Sequence, residues 1–398
     1  MSLYELLEQA TDNAIETQRA DGSLPGGHNG PYHDPETPVR NTAHWLITFL
    51  KLHDVTGEKR FFEAARDAAE YLQTTEARPN NFTFIHRSSE DKNRCNGLIG
   101  QAWTIEALAI ASEQLDDPRL ASLAEEVFLL HPFDERLGLW KSVEIDGERL
   151  SFDGTFNHQL WFAAAGGILA HHPAVSNRIH HRVITFLDRI GSNLGLYDSG
   201  LIRHGLKATN SPGRALRLLR NDRRGRLFFI QLIGRSSLTE VDFLRDLVRH
   251  PVVPLRRPPL AEEYLRQKAV GYHSFNMYAM GLLHGEYPDH RFWESEKFQR
   301  CYEYMRSQEY YTNVGASKYG FPYNPPGIEV PFAIEVFDDE PDRKLQEQWL
   351  GRQFSRCYDA KRHRMSRNNP DPETLTARLY QATRLPDLQV RIRPPQQR

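Results

Sequence analysis

The chain reads as an all-α protein, an (α/α)6 toroid or six-hairpin barrel of alternating outer and inner helices, on three observations. The stretch Ser151-Phe-Asp-Gly-Thr-Phe-Asn-His-Gln-Leu-Trp-Phe-Ala-Ala-Ala-Gly166 starts polar and then stays almost continuously apolar. A helix apolar all round is one that other helices enclose. Its Trp161 has counterparts at Trp45 and Trp103, 58 residues apart (103 − 45 and 161 − 103), a period that suits a helical hairpin with its loops. Apolar helices also alternate with one-sided amphipathic ones along most of the chain, and no βαβ or strand pattern competes.

In order, Leu3 to Gln18 is an amphipathic helix, followed by a loop over 21–35 dense in Gly, Pro, Asn and His. The first inner helix follows Arg40, and Lys59 to Thr74 is its outer neighbour, with apolar residues at 61, 62, 65, 69 and 72. The cycle repeats as a loop over 75–95, an apolar helix over 96–113, an amphipathic helix over 117–130, a loop over 131–153, an apolar helix over 154–171 and an outer helix over 175–193. Each longer polar loop precedes an inner helix, so these loops collect at one rim, the expected mouth. Residues 195–260 are irregular: a basic run Arg214 to Arg226 is a solvated face or a lip for an acidic glycan, and Leu227 to Ile233 suits strand or helix. Tyr278 lies two periods beyond Trp161 (278 − 161 = 117), so this segment is a degenerate fourth hairpin or an insertion. An inner helix over 269–283, an outer one over 290–308, a second aromatic loop over 309–327 and helices over 328–337, 343–359 and 373–383 bring the tally to about twelve. A single domain over 1–385 with a frayed tail over 386–398 is expected.

The formal net charge of −2 and pI near 6.8 supply no field for nucleic acid or an anionic membrane. Three scattered cysteines, Cys95, Cys301 and Cys357, point to a reducing compartment. The acidic N-terminus lacks a signal-peptide pattern, and no stretch approaches about eighteen uncharged apolar residues, so a cytoplasmic protein without a membrane span is expected. The 11% aromatic content and 17 histidines suit stacking on and hydrogen bonding to sugars, though aromatics also simply fill cores.

Phosphate-loop, dinucleotide, HExxH and GxSxG motifs are missing, no cofactor is implied, and no His/Asp spacing forms a metal-ligand set. What remains are carboxylates and histidines near inner-helix starts. Asp153 caps its helix or is one member of an acid/base pair with Glu329, whose apolar neighbours Val330 and Phe332 would raise its pKa toward a general-acid value. Glu329 equally suits an ordinary ion pair. His158 and His273 begin two different inner helices and could converge as the two bases of an epimerase, or be satisfied polar histidines. His33, Arg40 and Asn157 at the rim, with Tyr319 and Tyr323 on the second aromatic loop, are candidate sugar contacts. Arg40, His86 and Arg87 could meet a uronic carboxylate. Trp161 is either a sugar platform or, like Trp45 and Trp103, packing for the inner ring.

These hairpins, with Gly27-His-Asn-Gly-Pro-Tyr-His-Asp-Pro-Glu-Thr-Pro-Val-Arg-Asn41, Phe152 to Trp161 and Lys318-Tyr-Gly-Phe-Pro-Tyr-Asn-Pro-Pro-Gly-Ile-Glu-Val-Pro331, resemble the AglQ-like proteins encoded with archaeal surface-glycan assembly genes. More distantly the layout is similar to six-hairpin glycosidases and acylglucosamine epimerases. The resemblance implies protein glycosylation in the surface layer: an enzyme processing a uronic-acid-containing oligosaccharide of an N-glycan, as a hydrolase or related acid/base enzyme. A sugar epimerase or isomerase, and a non-catalytic glycan-binding assembly protein, are the alternatives. The near-neutral charge departs from the acidic composition expected of haloarchaeal members.

Overall fold

The computed structural model describes residues 1–207 and 259–392. Helices α1 (Leu3–Thr17), α3 (Lys59–Leu72), α5 (Pro118–Leu130), α7 (Asn177–Asn193), α9 (Glu296–Arg306) with its continuation α10 (Gln308–Val314), and α12 (Arg343–Cys357) form the outer layer. Helices α2 (Val39–Thr56), α4 (Gly97–Gln114), α6 (Phe156–Ala170), α8 (Pro259–Glu286), α11 (Pro326–Phe337) and α13 (Pro372–Ala377), which runs on as a 3₁₀ segment Arg378–Arg384, form the inner one. The inner helices pack α2 on α4, α4 on α6, α6 on α8, α8 on α11, α11 on the 3₁₀ segment, and that segment back on α2. The ring closes, as an (α/α)6 toroid requires.

Patterning explains who sits where. In α2 residues 39–50, in α4 residues 97–109, in α6 residues 159–167 and in α11 residues 326–334 are buried without interruption, so each is enclosed by protein on all sides. Outer α3 instead buries Phe61, Ala64, Ala65, Ala68, Ala69 and Leu72, one stripe at helical spacing. Close approach between layers needs small residues: a Cβ on Gly166 of α6 would come within 2.4 Å of the Phe128 ring of α5.

Three details differ from the sequence reading, and one segment it left open lies outside the described residues. Residues 131–153 hold a small antiparallel sheet, β1 (Phe133–Asp134), β2 (Leu139–Val143) and β3 (Arg149–Phe152), whose strands are too short and too evenly buried to alternate. The outer segment after α8 is broken because Ser295 and Ser307 each start a new helix, their hydroxyls accepting from the amides of Phe298 and Tyr310. Residues 208–258, most of the irregular segment, lie outside the described residues, and α6 lies directly against α8 in the ring. Residues 386–392 do not fray: Leu388 O accepts from Leu3 N at 2.8 Å, Val390 N donates to Met1 O at 2.9 Å, and the Leu388 and Val390 side chains are buried.

This clasp joins the two ends of the described chain, so Leu388→Ala should cost about 2–3 kcal/mol, at the lower end for a buried leucine truncation. Denaturant unfolding measures it, and an unchanged midpoint would mean the clasp contributes nothing.

Candidate functional site

Loops at the rim lead into α2, α4, α6, α11 and α13, and polar side chains pin several of them down. Gln101 of α4 accepts from Phe84 N at 2.8 Å and donates to Phe84 O at 3.0 Å. Gln159 of α6 grips Trp140 in the same way, at 2.9 and 2.8 Å. The two glutamines are one 58-residue period apart (159 − 101), each two residues before its Trp. Asp371, the N-cap of α13, accepts from the amides of His28 and Gly30 at 2.9 and 2.8 Å and so fixes the first aromatic loop. Asp34 on that loop is held by Arg87 at 3.0 Å and Lys92 at 2.7 Å.

Over the mouth the tyrosines of three elements meet. Tyr32 and Tyr272 share a hydrogen bond of 2.7 Å, Tyr264 and Tyr319 one of 2.9 Å, and Tyr323 donates to Asn29 at 2.6 Å. The Lys268 ammonium lies 5.2–5.8 Å from the rings of Tyr32, Tyr272 and Tyr319. Tyr319 and Tyr323 are therefore only 4% and 6% exposed, not displayed on an open loop. What buries them comes from Tyr32 and Tyr272, distant in sequence.

Below this layer the centre is polar. Arg40 is fully buried, with its guanidinium 4.0 Å from the centre of the Trp103 ring. Its Nη1 donates to Glu36 at 2.9 Å and to Asn29 at 3.2 Å, while Nε and Nη2 have no partner among the described residues. One turn on, His44 stacks on Tyr380 at 4.2 Å and meets Trp103 edge-on at 5.5 Å, with neither ring nitrogen partnered. Burial, together with the positive charges of Arg40 and Arg378, holds its pKa well below the ordinary value, so His44 is a neutral imidazole. Arg378 reaches Glu329 at 3.1 Å and Asn324 at 2.6 Å, and Ser274 Oγ donates to the other Glu329 oxygen at 2.7 Å. Burial raises the Glu329 carboxyl to about 7, against the opposing pull of Arg378 and Ser274. Among the described residues, Asn157 and Asn276 each present an unpartnered buried Oδ1 and the Tyr380 hydroxyl is likewise unpartnered, while the Gln381 amide is drawn to the Glu329 carboxylate. Buried polar atoms are nearly always satisfied, so a set of unpartnered ones gathered at the centre sets this region apart from the rest of the core.

The other candidates separate. Asp153 accepts from His158 Nδ1 at 2.8 Å, from Leu98 N at the start of α4 at 3.2 Å and from Thr155 N at 3.1 Å. Gly97 (φ 60°) makes room for it, since a Cβ there would lie 2.5 Å from the carboxylate. Burial alone would raise the Asp153 pKa, but His158 and these amides overcome it and hold the acid ionised. Asp153 and Glu329 share no partner: Asp153 is held by His158 and the start of α4, Glu329 by Arg378 and Ser274. Nor do His158 and His273 converge. His273 donates from Nε2 to Cys301 O at 2.9 Å, accepts from Ile202 N at 3.3 Å and packs against Tyr304 and Tyr310, and burial pushes its pKa down to about 4. It is a structural residue. Trp161 stacks on Phe275 and Tyr278 and donates to Phe275 O, so it packs the ring. His33 is exposed and stacks on His28. His86 is buried against Thr104, and Arg87 is occupied by Asp34. Among the described residues no group of three metal-ligating side chains occurs.

Sequence reasoning missed His44, Arg378, Tyr380 and Gln381. The signal was present for two of them: His44 stands inside a helix otherwise fit for complete burial, and Arg378 inside the last inner segment.

A closed six-hairpin ring with a polar centre defines the class: an (α/α)6 toroid of the kind found in six-hairpin glycosidases and sugar epimerases. At 11% identity the chain aligns with a D-mannose isomerase, 96% of each chain covered, TM-score 0.55. With an inactive variant of an α-1,6-mannanase from Salegentibacter sp. HEL1_6, in complex with α-1,6-mannotetrose, it shares 10% identity and a TM-score of 0.56, over 96% of this chain and 98% of that one. These likenesses concern the fold alone. No family model matches the chain. It is 46% identical over 389 residues to archaeal glycosylation protein Q of Haloferax volcanii, across 98% of this chain and 99% of that protein, and belongs to that family.

Two predictions follow from the geometry. Tyr323→Ala should destabilise the chain by about 3–4 kcal/mol, the scale of a large buried aromatic truncation, read by thermal unfolding; a shift below a degree would return Tyr323 to an open loop. Glu329 binds more protons folded than unfolded between its ordinary 4.5 and about 7, so the stability it contributes is complete below the lower value and is lost as pH rises through the upper one. Relative to Glu329→Gln, the wild type should lose about 3 kcal/mol between about pH 4.5 and about pH 7.5, at about 1.4 kcal/mol per unit. Parallel stability curves would contradict the raised pKa.

Proposed function

We propose that the protein is a carbohydrate-processing enzyme of glycan assembly that takes a uronic-acid-containing sugar into the centre of the toroid and transforms it by proton transfer. The observation that carries this reading is Arg40. Its guanidinium is stacked on Trp103 and anchored through Nη1, which leaves the buried Nε and Nη2 donors of one edge without a partner among the described residues. Two parallel N–H groups match a carboxylate bidentately, and burial strengthens that contact. The unpartnered Oδ1 atoms of Asn157 and Asn276 suit sugar hydroxyls, which can donate to them. Glu329, poised near neutrality, can give or take a proton at working pH. Membership of the archaeal glycosylation protein Q family supports a carbohydrate as the substrate.

Among the described residues, the carboxylates of Glu36, Glu106 and Glu329 each face an arginine, and that of Asp371 is taken up by the amides of His28, Gly30 and Thr374. That favours a proton-transfer reaction using one carboxyl and an imidazole over hydrolysis by a free carboxylate pair.

Glu329→Gln should lower turnover of a uronic-acid oligosaccharide at least about a hundredfold, the usual scale for positioned proton transfer. Arg40→Lys, which keeps the charge and removes the two-point contact, should raise KM more than it lowers kcat. Equal affinity of the wild type for a uronic-acid oligosaccharide and its carboxyl-reduced counterpart would overturn the reading.

A further inference from the structure

Resting on that reading, we infer that the reaction is inversion at C5 of the uronic acid residue, the carbon next to the carboxylate, with His44 as the base. Arg40 and His44 are four residues apart on α2 and face the same indole, with Arg40 over the Trp103 ring and His44 at its edge. Side chains at this spacing are neighbours, about 5–6 Å apart at Cβ. A carboxylate seated on the free edge of Arg40 therefore brings its adjacent carbon toward His44. In a glycosidically linked uronic acid, C5–H is the proton whose removal the carboxylate can stabilise, provided a cation neutralises the charge that builds on its oxygens.

His44 is suited to the task on geometry. It is buried, both ring nitrogens are unpartnered among the described residues, and the stacked Tyr380 ring fixes its plane. A neutral imidazole carries the lone pair a base needs. The step balances without any oxidant or cofactor. The lone pair of His44 takes the C5 proton, and the C5–H electron pair moves into the carboxylate, forming an enediolate held by Arg40. A proton delivered to the opposite face of C5, assigned in this proposal to the Glu329 carboxyl, completes the inversion. Solvent exchange returns the proton from His44 to Glu329. Substrate and product are isomers of the same oxidation state, and no glycosidic bond breaks.

The test incubates the full-length protein, in deuterium oxide and separately in ¹⁸O-water, with oligosaccharides containing glucuronate, galacturonate or mannuronate. The products are read by NMR and mass spectrometry. Deuterium at C5 of one of these residues, with the C5 epimer appearing and no chain cleavage, is expected. His44→Gln should lower that incorporation at least a hundredfold while the melting temperature stays within a few degrees. Should the variant fail to fold, the wild-type isotope pattern still decides the reaction. Cleavage with ¹⁸O at the new reducing end and no deuterium at C5 would overturn C5 inversion and leave the uronic-acid reading standing. Absence of both labels, with no preference for uronic-acid over carboxyl-reduced oligosaccharides, would overturn both. Undiminished exchange in a folded His44→Gln would remove His44 as the base.

Discussion

Arg40 with Glu36, Arg378 with Glu329 and Arg384 with Glu106 place guanidinium–carboxylate pairs inside the ring of inner helices, and each carboxylate is buried to about 1% side-chain exposure or less. A charge taken out of water must be met by an opposite charge and by hydrogen bonds, or the chain does not keep it there. That requirement organises the interior. Arg378 also donates to Asn324 and to the Tyr323 carbonyl, which ties the second aromatic loop to the last inner segment. Arg40 also reaches Asn29, which accepts from Tyr323, so the first aromatic loop joins the same network. Closing the barrel and assembling its polar centre are one event: the arginine of the last inner segment satisfies a carboxylate on α11.

The rim depends on a second device, the grip of inner-helix amides on the backbone of the preceding loop. Gln101 and Gln159 each satisfy both the N–H and the C=O of one loop residue. A buried backbone pair left open would cost more than the side chain gains, so the loop has one resting place. Asp153 works in the same way. It caps α4 through Leu98 and holds His158 on its own helix, which makes it a joint between two hairpins.

Function on this scaffold resides in what the interior leaves unsatisfied. The fold is shared with an isomerase and with a mannanase at about a tenth of identical residues, so it selects no reaction. The proposed reaction rests instead on the unpartnered edge of Arg40, the bare imidazole of His44 and the Oδ1 of Asn157. Each is buried and each lacks a partner among the described residues.

The sequence by itself determined the layers. Uninterrupted apolar runs at Trp45, Trp103 and Trp161 and one-sided stripes such as Phe61 to Leu72 can be buried in only one arrangement each, so inner and outer helices and their period were legible. So was the polar character of the inner-helix starts, with Arg40, Asn157 and Glu329 among them. The tertiary structure alone decided which of those residues face one another. Whether Asp153 meets Glu329 or Leu98, and whether His158 meets His273 or Asp153, depends on helix rotation and on loops distant in sequence. It likewise decided that Tyr319 and Tyr323 are buried, because Tyr32 and Tyr272 that cover them are hundreds or tens of residues away. Local pattern records how much of a helix is hidden; which groups are left without a partner emerges only when all six hairpins close.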